Sequence, residues 1–522
     1  MFRNIITKEI SKLVPGNVVF SVTASDATGH GDYSTNVALV ASKMTRKNPK
    51  ELAEEIKNKL FVRLNSGQSV LIERIEIAGP GFLNFYLHPK VLHSGLEKIS
   101  TRKKTSLSRG RKICLEFVSA NPTGPLTMAN GRGGFYGDVL ANVLQRVGRK
   151  VTREYYINDT GNQVKLLGDS ILAAEGNPPA GGTDREDLYK GEYIKELKGR
   201  SAKQAVAILL KSIKKSLKSA GISFDVWFSE EKNLHKKGKL KKTLEFLLKT
   251  KKLKEFEGAM WLGDPKTTGA VLIKSDGTPT YFLADLAYHY DKFIKRKFDI
   301  AIDIWGADHH GYIGRMKAGM EALGVESKRL HIIIMQLVRL MSKGKEVRMS
   351  KRAGNFVTMD ELLEIVGVNA ARWFFLERSS DTHMDFNLDL ARERSKKNPV
   401  YYVQYAHARA CSILRKTNRK SGFSKKSDFL NLLVVQEELA LIKKILQLPE
   451  IIEDIASDYQ VQRLPKYTYE LAQSFTEFYE NCKVIGPENK ELTLARLALV
   501  RSAQKTIADA LSLMGISAPK KM

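Results

Sequence analysis

Cysteine is scarce in this chain. The three present in 522 residues, Cys114, Cys411 and Cys482, lie far apart and form no CxxC pair. That excludes a disulfide framework, argues against a structural zinc site and fits a reducing compartment. No apolar run is long enough to span a bilayer, and Met1 to Ile10 lacks the apolar centre of a signal peptide, so a cytoplasmic protein with no membrane partner is expected. No internal repeat of fixed period is present. Acidic residues are in deficit: 57 Asp and Glu stand against 85 Lys and Arg, a formal charge of +28. An excess of that size points to an acidic partner, a phosphate backbone being the obvious one, or else to a solvated lysine-rich surface. A hydrophobic content of 43% and a charged content of 27% are those of a globular chain, and the length allows three ordinary domains.

What is present is organised around Glu116 to Asn142. Ile113 to Val118 reads as a buried strand, and Tyr136, Val139, Leu140, Val143, Leu144 and Val147 recur at helical spacing. Between them lie Pro122, Gly124, Pro125, Gly131, Gly133 and Gly134. Strand, glycine-rich turn and helix make half of a nucleotide-binding βαβ unit, with backbone N–H groups directed at phosphate. By itself this pattern is also that of a structural turn. Before it, residues 1 to about 105 read as a small α/β module, with helical patterns from Val37 and from Leu52 to Leu60. Strand-like Ser69 to Leu87 follows, broken at Gly79-Pro80-Gly81. Thr101 to Lys112 reads as a basic linker.

Further strands are expected at Val151–Ile157, Ala270–Lys274, Asp299–Trp305 and His331–Gln336. A lysine-rich helical insertion is expected near 166–265, its charge read as a solvated face. Thr358 and Glu361 have capping-box spacing. From Asp389 onward the pattern is amphipathic helix.

A second signal follows the last of these strands: Arg348-Met349-Ser350-Lys351-Arg352, which resembles the KMSKS loop of class I aminoacyl-tRNA synthetases. Taken in order, NPTGPL, EYYINDTGNQ, SDGTPTYFLADLAYH, WGADHHGYI, RMSKRAGN, YVQYAHAR and the tail GISAPKKM resemble the arginyl-tRNA synthetases almost end to end, from Gly31-Asp32-Tyr33 to Met522. The resemblance implies an α/β fold. It has a Rossmann-like parallel-sheet catalytic domain over 106–388 with an inserted helical segment. A small N-terminal α/β domain occupies 1–105 and touches the tRNA elbow, and an all-α anticodon-binding bundle occupies 389–522.

It also implies a reaction. Arginine's carboxylate attacks the α-phosphate of ATP, pyrophosphate leaves, and the arginyl group passes to the 3′ end of tRNA(Arg). The partners are then ATP, L-arginine and tRNA(Arg), and nothing in the sequence demands more than a monomer. Such chemistry needs in-line positioning and neutralisation of the departing phosphates. Lys351 is the implied pyrophosphate contact, helped by Arg348 and Arg352, with Met349 and Ser350 in the same nucleotide-binding loop. A guanidinium is planar with five donors, so its pocket should offer carboxylates in fork geometry. By similarity to the family, Asp285 and Tyr281, one helical turn before it, match the guanidinium grip, and Glu230 matches a second acidic position. Ser119 and Asn121 match the α-amino and carboxylate end, with Asn158 and Gln163 nearby.

Pro122, Gly124, Gly131, Asp308, His309, His310 and Gly311 match the nucleotide side. Adjacent histidines on an extended chain point opposite ways and no carboxylate pattern completes a ligand set, so no tightly bound metal is expected. Mg²⁺ arrives as the ATP complex. For tRNA the matching positions are Tyr33 and Asn36, then Tyr401, Tyr405, Arg409 and Arg496. Tyr402, Gln404 and His407 complete the YVQYAHAR match.

One motif departs from the family. HxGH falls at Thr127-Met128-Ala129-Asn130, so both histidines and the glycine are replaced. Thr127 and Asn130 can still donate hydrogen bonds, but they are shorter and cannot become cationic. Ala129 adds a methyl where adenine should approach. Two readings follow: an active ligase using Thr127, Asn130 and the helix N-terminus, or a catalytically impaired tRNA-binding paralogue. The retained Lys351 loop, acidic pocket positions and helical domain favour the first. A general nucleic-acid binder, a third reading, has no need of buried acids such as Asp285 and Glu230.

Overall fold

In the computed structural model the described residues are 2–25, 30–66, 70–101, 110–177, 186–267, 269–347, 357–417, 428–486 and 489–522. The basic stretch 102–109 and the loop holding Arg348, Met349, Ser350, Lys351 and Arg352 lie outside them.

Strands β1 (Val22–Ala24), β2 (Tyr33–Thr35), β3 (Ile72–Ala78) and β4 (Phe82–Leu87) form an antiparallel sheet in the order β1-β2-β4-β3. Helix Pro49–Asn65 packs on it, started by the Asn48 side chain accepting from the Lys50 amide and by proline at its first turn. Leu52, Ile56, Leu60 and Leu64, each four residues on, supply its buried stripe.

The central sheet is parallel. Its strands are β5 (Lys112–Glu116), β6 (Lys150–Ile157), β7 (Val226–Ser229) and, after β8 (Leu253–Phe256), β9 (Ala259–Leu262) and β10 (Ala270–Ile273), β11 (Ile300–Gly306) and β12 (Leu330–Met335). The order β12-β11-β5-β6-β7 reverses direction between β5 and β11, and that switch opens a crevice at the carboxyl ends of the strands. Two expectations need correction. Ala270–Ile273 does not rejoin this sheet; it pairs with β9 in a separate antiparallel sheet, β10-β9-β8. The stretch near 166–265 also contains β7, which pairs in parallel with β6. Short amphipathic strands flanked by lysine-rich helices carry too weak a period to reveal which sheet they join.

Helix Met128–Arg146 follows β5 and lies against it closely. A Cβ on Gly137 would sit 2.3 Å from the Phe117 ring, so only glycine permits this approach. After β12 come β13 (Val338–Ser342), β14 (Lys345–Val347) and β15 (Met384–Asn387), a small sheet in the order β14-β13-β15. The Thr358–Glu361 capping box is formed: the Thr358 amide donates to Glu361 at 2.7 Å, and the Glu361 amide to the Thr358 hydroxyl at 3.1 Å.

Helices Pro399–Lys416, Gln436–Asp458, Arg463–Asn481 and Lys490–Leu513 complete the chain. One continuous core runs from Phe2 and Ile6 through Phe135 and Val139 to Leu497 and Ile507. All three cysteines are free thiols. No helix among the described residues is long and apolar enough to cross a membrane.

Candidate active site

The segment leaving β5 is strained. Val118 has φ 67° and Ser119 φ 36°, both in the left-handed region, where a non-glycine residue costs on the order of 1–2 kcal/mol. Three hydrogen bonds hold it. The Ser119 hydroxyl donates to Glu116 at 3.0 Å and accepts from the Tyr156 amide at 3.0 Å, and the Tyr155 hydroxyl donates to the Ala120 carbonyl at 2.7 Å. Asn121 follows, half-buried, and Pro122 and Gly124 are buried.

Acidic groups gather beside this turn. Glu230, one residue beyond β7, is buried and bonded to His235 Nε2 at 3.0 Å. Asp285, on helix Tyr281–Tyr290, accepts from the Tyr312 hydroxyl at 2.6 Å. Burial pushes the Asp285 carboxyl up to about 6, opposed by the Tyr312 hydrogen bond and assisted by the charges of Glu116 and Glu230. Tyr156, at the end of β6, senses the same three carboxylates: burial first, then Glu230, Asp285 and Glu116, push its hydroxyl far above the usual range. The structure therefore brings Asp285 and Glu230 together and adds a third acid, Glu116.

Asn158 faces the same carboxyl edge with its side-chain oxygen buried and unpaired, a group left in want of a donor. Gln163 is bonded to the Tyr189 hydroxyl. Tyr281 is 58% exposed, with its hydroxyl 3.5 Å from where a Cβ on Gly161 would lie. It borders the opening and does not line the interior.

On the other flank, Thr127 caps helix Met128–Arg146. The Asn130 side-chain oxygen accepts from both the Thr127 amide and hydroxyl at 2.9 Å. The two residues replacing the histidines are thus tied to each other, leaving the Asn130 amide N–H groups and the helix N-terminus to face a ligand. Ala129 is exposed and Gly131 buried. This turn is stitched to the residues just after the Lys351 loop: the Met128 amide donates to the Val357 carbonyl at 3.1 Å, and the Met359 amide to Leu126 at 2.9 Å. Arg132, fully buried, donates at 2.7–2.8 Å to the carbonyls of Gln336, Ser379 and Thr382, so it clamps the same helix to the segments flanking the β13 hairpin. Asp308, His309, His310 and Gly311 sit exposed in a short 3₁₀ turn after β11. His309 approaches Asp308 at 3.5 Å.

Two expected tRNA contacts, Tyr33 and Arg496, are corrected, while Asn36 stays half-buried. Tyr33 is buried and donates to Glu450 at 3.0 Å, and the Arg3 amide reaches the same carboxylate, so Tyr33 docks the N-terminal sheet on helix Gln436–Asp458. The Asn36 side-chain oxygen is taken by the Ser21 amide at 2.9 Å. Arg496 is buried, with Nε on Glu438 at 2.7 Å and Nη1 on the Lys483 carbonyl at 2.8 Å. An aromatic or arginine in a polar motif is read as available from sequence, whereas a buried carboxylate from a distant helix claims it. Tyr401 is half-buried. Tyr405 and Arg409 are exposed, and Arg409 donates to the Tyr405 hydroxyl and, at 3.5 Å, to that of Tyr479, its guanidinium 5.4 and 5.3 Å from the two ring centres. Tyr479 was not expected.

Sequence reasoning also missed Glu116, Glu154 and Asp303; Asp303, a single acid inside the apolar strand IAIDIWG, was a readable signal, whereas Glu154 stands among Lys150 and Arg153 in KVTREYYI and gave none. It missed Lys292 and Tyr312 with no such sign.

Known proteins match this arrangement. Residues 1–87 match the "Arginyl tRNA synthetase N terminal domain" family model and residues 403–522 the "DALR anticodon binding domain". A protein of Carboxydothermus hydrogenoformans named arginine–tRNA ligase is 42% identical, covering 97% of this chain and 94% of that relative. One of Bacillus subtilis with the same name is 43% identical over 97% and 94%. The solved arginyl-tRNA synthetase of Thermus thermophilus superposes with a TM-score of 0.80 at 22% identity over the whole of both chains, a likeness of fold.

Proposed function

The chain belongs to the arginyl-tRNA synthetase family, and from that premise we propose that it activates arginine with ATP and transfers it to tRNA(Arg), with its own residues dividing the work as follows. Asp285 and Glu230 receive the guanidinium; Ser119, Asn121 and Asn158 receive the amino-acid end. The observation that carries this is that Glu230 and Asp285 lie close enough to Tyr156, at the carboxyl end of β6, for both charges to act on its hydroxyl and on each other. Two neighbouring carboxylates, Glu230 buried and Asp285 half-buried, call for a cation between them.

ATP, entering with Mg²⁺, lies toward the N-terminus of helix Met128–Arg146, with Asn130 and the exposed turn at Asp308–Gly311 beside it. Lys351, with Arg348, answers the charge on departing pyrophosphate. The stitching of Leu126 and Met128 to Met359 and Val357 supports this, because it returns the chain from that loop to the nucleotide side. Lysine is rejected because a single ammonium leaves a carboxylate acceptor unpaired, at roughly 1–3 kcal/mol. The protein acts as a cytoplasmic monomer.

ATP–pyrophosphate exchange with tRNA present and a panel of amino acids tests the reading. Exchange is expected with arginine and not with lysine. No exchange above background with any amino acid would make the chain a tRNA-binding paralogue whose replaced histidines had ended its chemistry. In the same protein Lys351→Ala is expected to slow exchange about 100-fold while the arginine KM stays within threefold, since the lost charge acts on the leaving group alone.

The exposed Tyr405–Arg409–Tyr479 cluster, in which Arg409 ties the two hydroxyls together, is the proposed base-stacking platform of the anticodon domain. Tyr479→Ala is expected to raise the tRNA KM for aminoacylation about tenfold, in line with roughly 1–3 kcal/mol per stacked base, and to leave the arginine KM unchanged. An unchanged tRNA KM would show that the platform only packs helix on helix.

A further inference from the structure

Beneath the floor of the cleft lies a row of acids. In the parallel register Asp303 of β11 is the partner of Glu116 of β5, and Glu116 is the partner of Glu154 of β6. Three carboxylates thus stand side by side on adjacent strands, all buried. Like charges in neighbouring strand positions repel, so such a row persists only with its own counter-ions. One segment supplies them. Lys292, at 0% exposure, donates to Glu116 at 2.8 Å and to Asp303 at 2.8 Å. His289 meets Asp303 at 2.8 Å, and Arg296 and the Tyr288 hydroxyl hold Glu154. Burial pushes the Glu116 carboxyl upward while the Lys292 cation acts against it.

The consequence reaches the surface at Ser119. Glu116 gives one oxygen to Lys292 and the other to the Ser119 hydroxyl proton. A serine hydroxyl has one proton and two lone pairs. Here the proton points inward to Glu116 and one lone pair takes the Tyr156 amide. What remains toward the cleft is an acceptor. An acceptor suits an ammonium group and repels a carboxylate.

We propose that Lys292 is a positioning residue for the amino-acid site: acting through Glu116 it turns the Ser119 proton inward and so dedicates Ser119 to the α-ammonium of the substrate. Lys292 itself touches no substrate. The assignment rests on the cleft being the arginine site.

The test uses the full chain with tRNA in pyrophosphate exchange. It compares arginine with 5-guanidinopentanoate, which keeps the guanidinium and carboxylate but lacks the amine, as a competitor. The wild type must first exchange with arginine; failure there removes the ligase reading itself. In Glu116→Gln the new amide can donate to Ser119 and turn its proton outward. The arginine KM is then expected to rise about tenfold, the loss of one hydrogen bond to a charged group, while the inhibition constant of 5-guanidinopentanoate and the ATP KM stay within twofold. The double variant E116Q/S119A is expected to be no worse than S119A, since both changes act at one atom. Should E116Q lose its far-UV circular dichroism, the double variant Lys292→Met with Asp303→Asn, which removes the cation together with one of its two buried acids, carries the same comparison. Equal weakening of arginine and its desamino analogue, additivity with S119A, or no change in the arginine KM would each overturn the proposal.

Discussion

Asp285→Asn is expected to raise the arginine KM about 100-fold at pH 7.5 and to move the ATP KM less than threefold. The exchange removes one carboxylate from a site built to accept a forked cation and leaves donors facing donors. Losing a desolvated charge-assisted pair costs about 3 kcal/mol, which corresponds to two orders of magnitude in affinity. The pH profile gives a second handle. Burial raises the Asp285 carboxyl to about 6 from its ordinary 3.8, and only the ionised form attracts a guanidinium. In the wild type kcat/KM for arginine, which reports the free enzyme, is therefore expected to fall roughly tenfold between pH 7 and pH 5. In the variant the fall in that window disappears.

Stability runs the other way. A carboxyl whose folded pKa is raised contributes stability below its unfolded value and loses that contribution as pH rises through about 6. At pH 7.5 the ionised Asp285 thus opposes folding, and the variant without arginine is expected to melt no lower than the wild type. Saturating arginine should raise the wild-type melting temperature and leave that of the variant where it was. Equal changes in both Michaelis constants, or a lowered melting temperature without ligand, would place Asp285 in a structural role.

Arg372→Met is expected to cost the largest stability of any single change proposed, about 3–5 kcal/mol. Arg372 is buried where three parts of the chain meet. Its Nη1 donates to Asp138 on helix Met128–Arg146 at 2.8 Å and to the Met514 carbonyl beyond the last helix at 2.9 Å. Its Nη2 reaches the carbonyls of Ala220 and Gly221 at 3.0 and 2.9 Å, and its guanidinium lies 5.0 Å from the centre of the Phe135 ring. Methionine fills much of the volume but leaves three carbonyls without this donor and the buried Asp138 carboxylate with only Arg153 Nε, at 3.9 Å. Urea unfolding followed by circular dichroism should show the first transition at clearly lower denaturant. Adding Asp138→Leu should recover part of the loss, because the orphaned charge is then gone. An unchanged first transition would mean that this junction contributes nothing to holding the helical bundle on the catalytic sheet.

Local pattern served well where a single element declares itself. The spacing of Val139, Leu140, Val143 and Leu144 put a helix after β5, Thr358 and Glu361 started another, and DIAIDIW and HIIIMQ marked β11 and β12. All of these depend on contacts within a few residues or on one buried face. Asp285 and Glu230 were named through the family resemblance, and the structure sets both near enough to Tyr156 for their charges to act on its hydroxyl. Tyr33 and Arg496 misled for the opposite reason. Each is a polar-tipped side chain in a motif, and its true partner, Glu450 or Glu438, lies 417 or 58 residues away.

The sequence by itself determined the long helices and the buried strands β5, β6, β11 and β12, which chemistry the acids and bases could perform, and which family pattern they follow, because those rest on residue type and short spacing. Only the tertiary structure decided that Asp303, Glu116 and Glu154 stand in one row, that one lysine neutralises two of them, and that Tyr479 closes on Arg409. Register between strands and the meeting of distant helices are settled by packing and by the pairing of buried charge. Neither leaves a mark in the order of residues along the chain.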